Sequence, residues 1–304
     1  MKKNIYLVFF ITITFFLIFF SNEIIESIRF SFSICINNIF PSFIPFMILS
    51  KFLIDYNFDY ELSKIFEFLM RKFKVNKNCS IAFVMSIFSG SPSNAIYLNN
   101  LLNKNLVNEN DVNKCLKFCH FVNPIFILNT IGYSFLNSKS LGLKILIAHY
   151  LTNIIVGLYN KEEKISKANS DIKEKRENRN FIIVLKESIF DTINNLLLIM
   201  GIITFFLIVT TILNNILNIS NNYKFIYGIL EITQGLKYLS LTNINTNIKA
   251  LISVFLISFG GFSIHMQIFS IIDNEKIRYI PYLISRTIHA ILSVIILYFI
   301  LLFL

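Results

Sequence analysis

The chain has 304 residues, of which 55% are hydrophobic and 15% charged, and its charges gather in clusters between long apolar runs. That pattern belongs to a polytopic membrane protein and excludes a small soluble domain. The formal charge of +10 lies in loops between apolar segments, where Lys and Arg orient a membrane protein, so nucleic acid is not an expected partner and the lipid bilayer is.

Met1-Lys2-Lys3 precedes an apolar run from Ile5 to Phe20. A cleavable leader ends in small residues, and here stand two phenylalanines, so residues 1–22 are read as a transmembrane helix with a cytoplasmic N-terminus. From Ile24 to Ile54 the apolar run is cut by Asn37-Asn38, Pro41 and Pro45, which predicts a span bent near its middle. Between Asp55 and Asn78, Leu62, Ile65, Phe66, Leu69, Met70 and Phe73 recur at helical spacing among cations, the mark of an amphipathic helix at the membrane interface.

The most telling stretch is Cys79 to Leu102. Apolar residues run from Ile81 to Phe88 and resume at Ile96, but Ser89-Gly90-Ser91-Pro92-Ser93-Asn94 stands between them. In hydrocarbon an unpaired backbone group is costly, so a spanning segment breaks only where protein or water supplies partners. Cations on both sides, Lys77 before and Lys104 after, predict a segment that enters and returns without crossing. A charged connection to Lys117 follows. Next come an expected crossing from Phe118 to Leu136, interrupted at Asn123-Pro124 and Gly132-Tyr133, and another from Leu141 to Tyr159. The His149 inside the latter is expected to bond a neighbouring helix.

Residues 160–180 form a charged linker, read as cytoplasmic, that divides a first membrane repeat (23–159) from a second (181–304). The second begins with a long span, Phe181 to Leu213, and a polar loop, Asn214 to Tyr223, that lacks basic residues. A short mixed helix, Phe225 to Leu239, holds Glu231, Thr233, Gln234 and Gly235. A second broken segment, Ala250 to Ile272, contains Gly260-Gly261-Phe262-Ser263-Ile264-His265-Met266-Gln267. After a charged turn through Asp273, Tyr282 to Leu304 closes the chain as a last span.

Setting Gly90 over Gly261 aligns the two breaks and gives two repeats of opposite orientation. The expected fold is therefore all-α, two inverted repeats each with a broken re-entrant helix, an architecture that places substrate at the discontinuous helices. Half-helix N-termini offer N–H groups. Candidate pathway residues are Gly90, Ser91, Pro92, Ser93, Asn94, Asn123, Pro124, Gly260, Gly261, Ser263, His265 and Gln267, with Glu231 as the best cation or proton site and Gln234 beside it. Their neutral donors and acceptors suit a small polar, uncharged solute. His265 could take a proton, or serve as a hydrogen-bonded structural residue. Cys35, Cys79, Cys115 and Cys119 lack disulfide or zinc spacing and are read as buried apolar groups, with no metal and no cofactor.

Four motifs in order, Pro41-Ser42-Phe43-Ile44-Pro45-Phe46, Ser89-Gly90-Ser91-Pro92, Asn123-Pro124-Ile125-Phe126 and Ser258 to Gln267, resemble the sporulation integral membrane protein YlbJ family, among the membrane proteins with nucleoside-recognition or Gate domains. The resemblance covers most of the chain from Ile24 onward. It implies a role in building the bacterial spore, at a forespore or mother-cell membrane, with other sporulation membrane proteins as candidate partners. The family usually carries a second glycine after the proline of the first break, where this chain has Ser93-Asn94. Two functions compete: a transporter-like permease for a solute used in spore formation, and a non-transporting scaffold for cortex assembly. No triad or metal spacing supports an enzyme.

Overall fold

The computed structural model describes residues 2–56, 58–159, 179–272 and 274–303, and among them every regular element is helical. Most of the expected linker, 160–178, and Asp273 lie outside the described residues. Helix α1 (Lys2–Phe19) turns Phe10, Phe15 and Phe19 outward, as a lipid-facing helix does. Helices α2 (Ser21–Ile34) and α3 (Phe40–Asp55) form one rod joined by a π-helical turn over Cys35–Ile39. The expected interruption is thus a widened turn at Asn37-Asn38. It lets Pro41, which lacks an N–H, stand at the start of α3, where no donor is required.

Helices α4 (Phe58–Ile65) and α5 (Glu67–Lys72) replace the single interfacial helix read from the spacing. Their apolar residues divide: Met70 and Phe73 are fully buried, with Leu62, Phe66 and Leu69 packed against the same core, while Ile65 and Phe68 are exposed. Helices α6 (Ser80–Ser89) and α7 (Ser93–Asn103) form a hairpin around Gly90-Ser91-Pro92. Asn78 Nδ2, just before α6, donates to the Leu106 carbonyl beyond α7 at 3.0 Å, so the hairpin's open ends lie side by side. At about 1.5 Å per residue each arm reaches about 15 Å, half a bilayer core.

Where the sequence suggested only a charged connection there is a helix, α8 (Glu109–Phe118), started by a capping box in which the Asp111 N–H donates to Asn108 Oδ1 at 2.8 Å. The expected crossing from Phe118 to Leu136 is not a continuous helix. Residues 119–123 have no regular structure, and helix resumes at Pro124 to become π-helical over Phe126–Phe135. That leaves about 18 Å of helix, short of the roughly 30 Å needed to cross. Helix α9 (Lys139–Leu158) follows, with Gly132 and Gly142 in backbone contact where the two segments turn back on each other.

Helix α10 (Phe181–Leu217) runs past the expected end into the polar loop. It lies antiparallel along the α2–α3 rod, tied by Thr211 to Ser27 (3.0 Å), Ser31 to Thr204 (2.8 Å) and Lys51 to Asp191 (2.8 Å). The mixed helix expected from Phe225 to Leu239 is instead a second hairpin, a 3-10 turn over Lys224–Ile229 and helix α11 (Ile232–Ser240). Gly228 and Gly235 touch backbone to backbone, and Lys224 Nζ sits 5.8 Å from the Tyr238 ring at the open end. Helices α12 (Thr246–Phe259) and α13 (Gly261–Ile271) meet at Gly260, as the sequence predicts, and α14 (Tyr279–Phe303) closes the bundle.

Among the described residues five stretches are long and apolar enough to cross a membrane: Ser21–Asp55, Lys139–Leu158, Phe181–Leu217, Thr246–Ile271 and Tyr279–Phe303. One order of elements occurs twice. A hairpin (α6–α7, then the 3-10 turn with α11) precedes an interrupted segment (α8 to residue 135, then α12–α13) and a single helix (α9, then α14). This order sets Gly90 beside the Leu230-Glu231 turn and residues 119–123 beside Gly260, a different pairing from the one the glycine alignment suggests.

Candidate functional site

Each interruption exposes backbone groups, and each is sealed by a neighbour. Ser91 N–H donates to the Phe121 carbonyl at 2.7 Å, which ties the first hairpin tip to the unwound 119–123 stretch. Ser263 N–H donates to the Leu230 carbonyl at 2.9 Å and ties the second tip to the Gly260 break in the same manner. Gly260 lies against His120, whose Nε2 would stand 2.8 Å from any Cβ there, so the two breaks also touch each other. The expectation of open N–H groups at the half-helix ends is therefore corrected at Ser91, Ser93, Ala95 and Ser263, whose donors are occupied by protein carbonyls. An unpaired buried donor would cost about 1–3 kcal/mol.

Helix α9 holds the unwound stretch from its side. Tyr150 O–H donates to the carbonyls of Ile87 (2.7 Å) and Val122 (3.0 Å), and Asn153 Nδ2 donates to that of His120 (2.8 Å). The Val122 N–H can only donate, so His149 Nε2 accepts it at 3.1 Å, leaving Nδ1–H to donate to Ser258 Oγ at 2.8 Å. Ser258 then donates to Ser293 Oγ at 3.0 Å. His289 Nε2–H donates to the His149 carbonyl (3.1 Å), and its Nδ1 accepts from Arg286 (3.1 Å). Arg286, fully buried, also donates to the Lys117 carbonyl near the end of α8, where a cation offsets the helix dipole. His149 thus bonds neighbouring segments as expected, while the Arg286–His289–Ser258 network carried no mark in the sequence beyond polar residues inside apolar runs.

At the meeting point lies a central cavity of about 60 Å³. Ser91 and Pro92 line it from the first tip, Val122 and Asn123 from the unwound stretch, and Glu231, Ile232 and Thr233 from the second tip. Ile257, Ile264 and Gln267 line it from either side of Gly260, and Phe43, Ile199 and Ile203 come from the rod and α10. The space exceeds the roughly 10–15 Å³ one water requires and falls far below the roughly 300 Å³ at which drug-sized ligand pockets begin. Its walls are mainly apolar with a few polar groups, less polar than the chamber the sequence suggests.

The expected residues divide accordingly. Ser91, Pro92, Asn123, Glu231 and Gln267 line this cavity. Asn123 also locks its surroundings, donating from Nδ2 to the Ser42 (2.9 Å) and Phe88 (3.1 Å) carbonyls and accepting from Ile125 N–H (2.8 Å), so that Pro124 opens the following helix. Gly90 lies so close to the Asn123 backbone that a Cβ would stand 2.6 Å from its nitrogen. Ser93 bonds Ser89 Oγ at 2.7 Å, and Ser91 Oγ donates to Asn94 Oδ1 at 2.9 Å. Asn94 Nδ2 and Ser263 Oγ are buried with no protein partner, as is His120 Nε2. Gly261 rests on Ile232 and the Gly228 and Leu230 carbonyls.

His265 is held at both ring nitrogens, Nε2–H donating to the Phe259 carbonyl (2.9 Å) and Nδ1 accepting from Tyr279 (3.2 Å). Glu231 caps α11, accepting from the Gln234 N–H at 2.9 Å and from Thr233. Gln234 accepts from Thr210 and lines a separate cavity with Glu23, Glu26 and Lys237. The four cysteines are buried free thiols, and among the described residues no cluster of His, Cys, Asp and Glu could hold a metal ion. Thr233, named in the sequence only as part of the mixed helix and not as a pathway residue, also lines the central cavity.

No family model matches the chain, and no solved structure matches it. The chain is 27% identical over 286 residues to the sporulation integral membrane protein YlbJ of Bacillus subtilis (strain 168), an alignment that covers 82% of this chain and 70% of that protein. Similarity along most of its length, with apolar helices long enough to cross a bilayer, makes the chain an integral membrane protein similar to YlbJ.

Proposed function

We propose that the chain is a transporter-like permease for a small polar solute used in spore formation. The observation that carries this reading is a cavity bordered by all four interruptions: both hairpin tips, the unwound 119–123 stretch and the turns around Gly260. Interrupted helices inside a membrane protein are tolerated where they line a cavity, and sites built on them are the habit of secondary transporters. In this reading the two series of elements are inverted repeats and the α6–α7 hairpin re-enters the bilayer from the cytoplasmic side, which also holds Met1-Lys2-Lys3 and the charged linker. The relative's name supports a place in sporulation, and the proposal puts the chain at a forespore or mother-cell membrane.

The solute is uncharged or nearly so, because Asn123, Thr233, Gln267 and Ser91 offer neutral groups and the Glu231 carboxylate already accepts two hydrogen bonds. No enzymatic step is assigned: His149 and His265 have both ring nitrogens engaged. The test is solute exchange by vesicles carrying the purified chain, loaded with a mixture of small polar metabolites and read by mass spectrometry. Movement of a polar solute that Gln267→Leu abolishes is expected. Equal contents in wild-type, Gln267→Leu and empty vesicles would return the chain to the scaffold reading.

A further inference from the structure

Among the residues lining the central cavity Glu231 alone titrates, and it stands at the second hairpin tip with 2% of its surface exposed. It accepts hydrogen bonds at Oε2 from the Gln234 N–H and the Thr233 hydroxyl. Among the described residues no cation pairs with it. On the elements around it the titratable groups are Cys35, Tyr227, His120 and His265, and none of them hydrogen bonds to it. Lys224 and Lys237 lie over the Tyr238 and Phe30 rings, and Lys249 of α12 donates to the Ser240 carbonyl. A carboxylate withdrawn from water and left without a cation is costly, and a proton removes the charge.

Two outer cavities flank the central one along α10. In the first, of about 390 Å³, the residues nearest the central lining are Met47, Ile96, Leu198 and Ile271, all apolar. The second, of about 260 Å³, lies between α2, α10 and α11. On α10 its lining ends at Thr211, about 12 Å from Ile203 of the central cavity, with buried Phe206 and Leu207 between. On α11 the two linings adjoin, at Thr233 and Gln234, so the polar first turn of that helix is the thin point between them. The Gln234 side chain accepts from Thr210 and donates to Tyr238 Oη at 3.5 Å, and Tyr238 also lines the 260 Å³ cavity. That cavity sets Glu23 and Glu26 against Lys237, an acid excess that draws protons, whereas Lys51 and Asp191 of the 390 Å³ cavity neutralise each other at 2.8 Å.

We infer that Glu231 is the proton-coupling site of the permease, loaded from the 260 Å³ cavity across the first turn of α11. This rests on the permease reading and adds to it the coupling ion and the side from which that ion enters. The carboxylate takes one proton from hydronium in that cavity, leaving water, and becomes a carboxylic acid. The central cavity then holds a donor where the group had offered only acceptors. What the cavity presents to a solute changes with the proton, and that difference couples the two. A metal ion fits less well. Hard cations take about six oxygen ligands, and here Asn123 Oδ1 already accepts from the Ile125 and Phe126 N–H groups.

Infrared difference spectra of the purified chain in lipid read the carboxyl directly and need no solute. With the buffer cycled between about pH 5 and about pH 9, a C=O band of a protonated carboxyl is expected to come and go in the wild type and to be lost in Glu231→Gln. Glu231→Asp is expected to shift that band and keep it, which identifies the group even if Glu231→Gln fails to fold. Replacing potassium by sodium at constant pH is expected to leave the band unmoved. Sealed vesicles give the side. Their orientation is read from the reaction of Asn215→Cys, in the lining of the 260 Å³ cavity, with a methanethiosulfonate reagent that does not cross lipid, against the buried native thiols as background. Where that cavity faces the changed buffer the band is expected to respond at once, and where it faces the lumen only after a proton ionophore equalises the pH.

Spectra in which neither Glu231 variant changes a titrating C=O band would overturn the inference. So would a band that sodium removes, which would make this a sodium site, or one that responds first from the face of the 390 Å³ cavity. The spectra report protonation whether or not a solute moves. The expected band without metabolite exchange would leave the proton site standing and remove the permease reading, and metabolite exchange without the band would do the reverse.

Discussion

Gly260 has no room for a methyl group. Its φ of +94° suits glycine alone, and a Cβ would meet His120 Nε2 at 2.8 Å. Gly260→Ala is expected to lower stability by about 1–3 kcal/mol in detergent unfolding. Gly201, inside α10 with nothing within 4 Å of where a methyl group would stand, is the opposite case. There Gly201→Ala is expected to raise stability by about 0.5–1 kcal/mol, through helix propensity alone. Equal effects at the two glycines would show that the breaks are not in close contact. At His149 the expected loss follows from hydrogen bonding: His149→Leu leaves the Val122 N–H unpaired and costs about 1–3 kcal/mol in the same assay. His149→Gln, which keeps an acceptor, is expected to lose less.

Helix α11 begins at a carboxylate that both caps it and faces the central cavity, and substitutions separate those duties. Glu231→Ala removes the cap and is expected to cost about 1–2 kcal/mol. Glu231→Gln keeps a capping oxygen, so unfolding near the wild-type midpoint with lost spore formation is the expected result. A fully active Glu231→Gln protein would confine the residue to capping. Elements were legible in the sequence where their cause is local. Gly90, Pro92 and Gly260 break helices by their own backbone chemistry, and Asn123, Glu231 and Gln267 stand out as polar groups in apolar runs. The 119–123 stretch was harder to see because its geometry is maintained by Tyr150, Asn153 and His149, some thirty residues away. Spacing could not divide the apolar residues of α4 and α5 between core and surface, since amphipathic spacing is the same whether protein or lipid covers it: Met70 is buried and Ile65 exposed. Helix α8 was missed although its Asn108-x-x-Asp111 capping signal was present.

Across the whole molecule, exposed apolar side chains on α1, α10 and α14 give an apolar exterior, while His149, Arg286 and His289 are buried inside, the reverse of a soluble protein. The central claim is that the four interruptions exist to build one cavity, and that the cavity is what the cell uses. It is tested most directly by filling the cavity in a sporulating host whose own copy has been removed, with heat-resistant spore yield and membrane protein level measured in the same cultures. Ser91→Leu and Gln267→Leu are expected to reach the membrane at near wild-type levels and to give few heat-resistant spores, while the outward-facing Leu241→Ser leaves yield unchanged. Wild-type spore yield from both cavity variants would contradict the account.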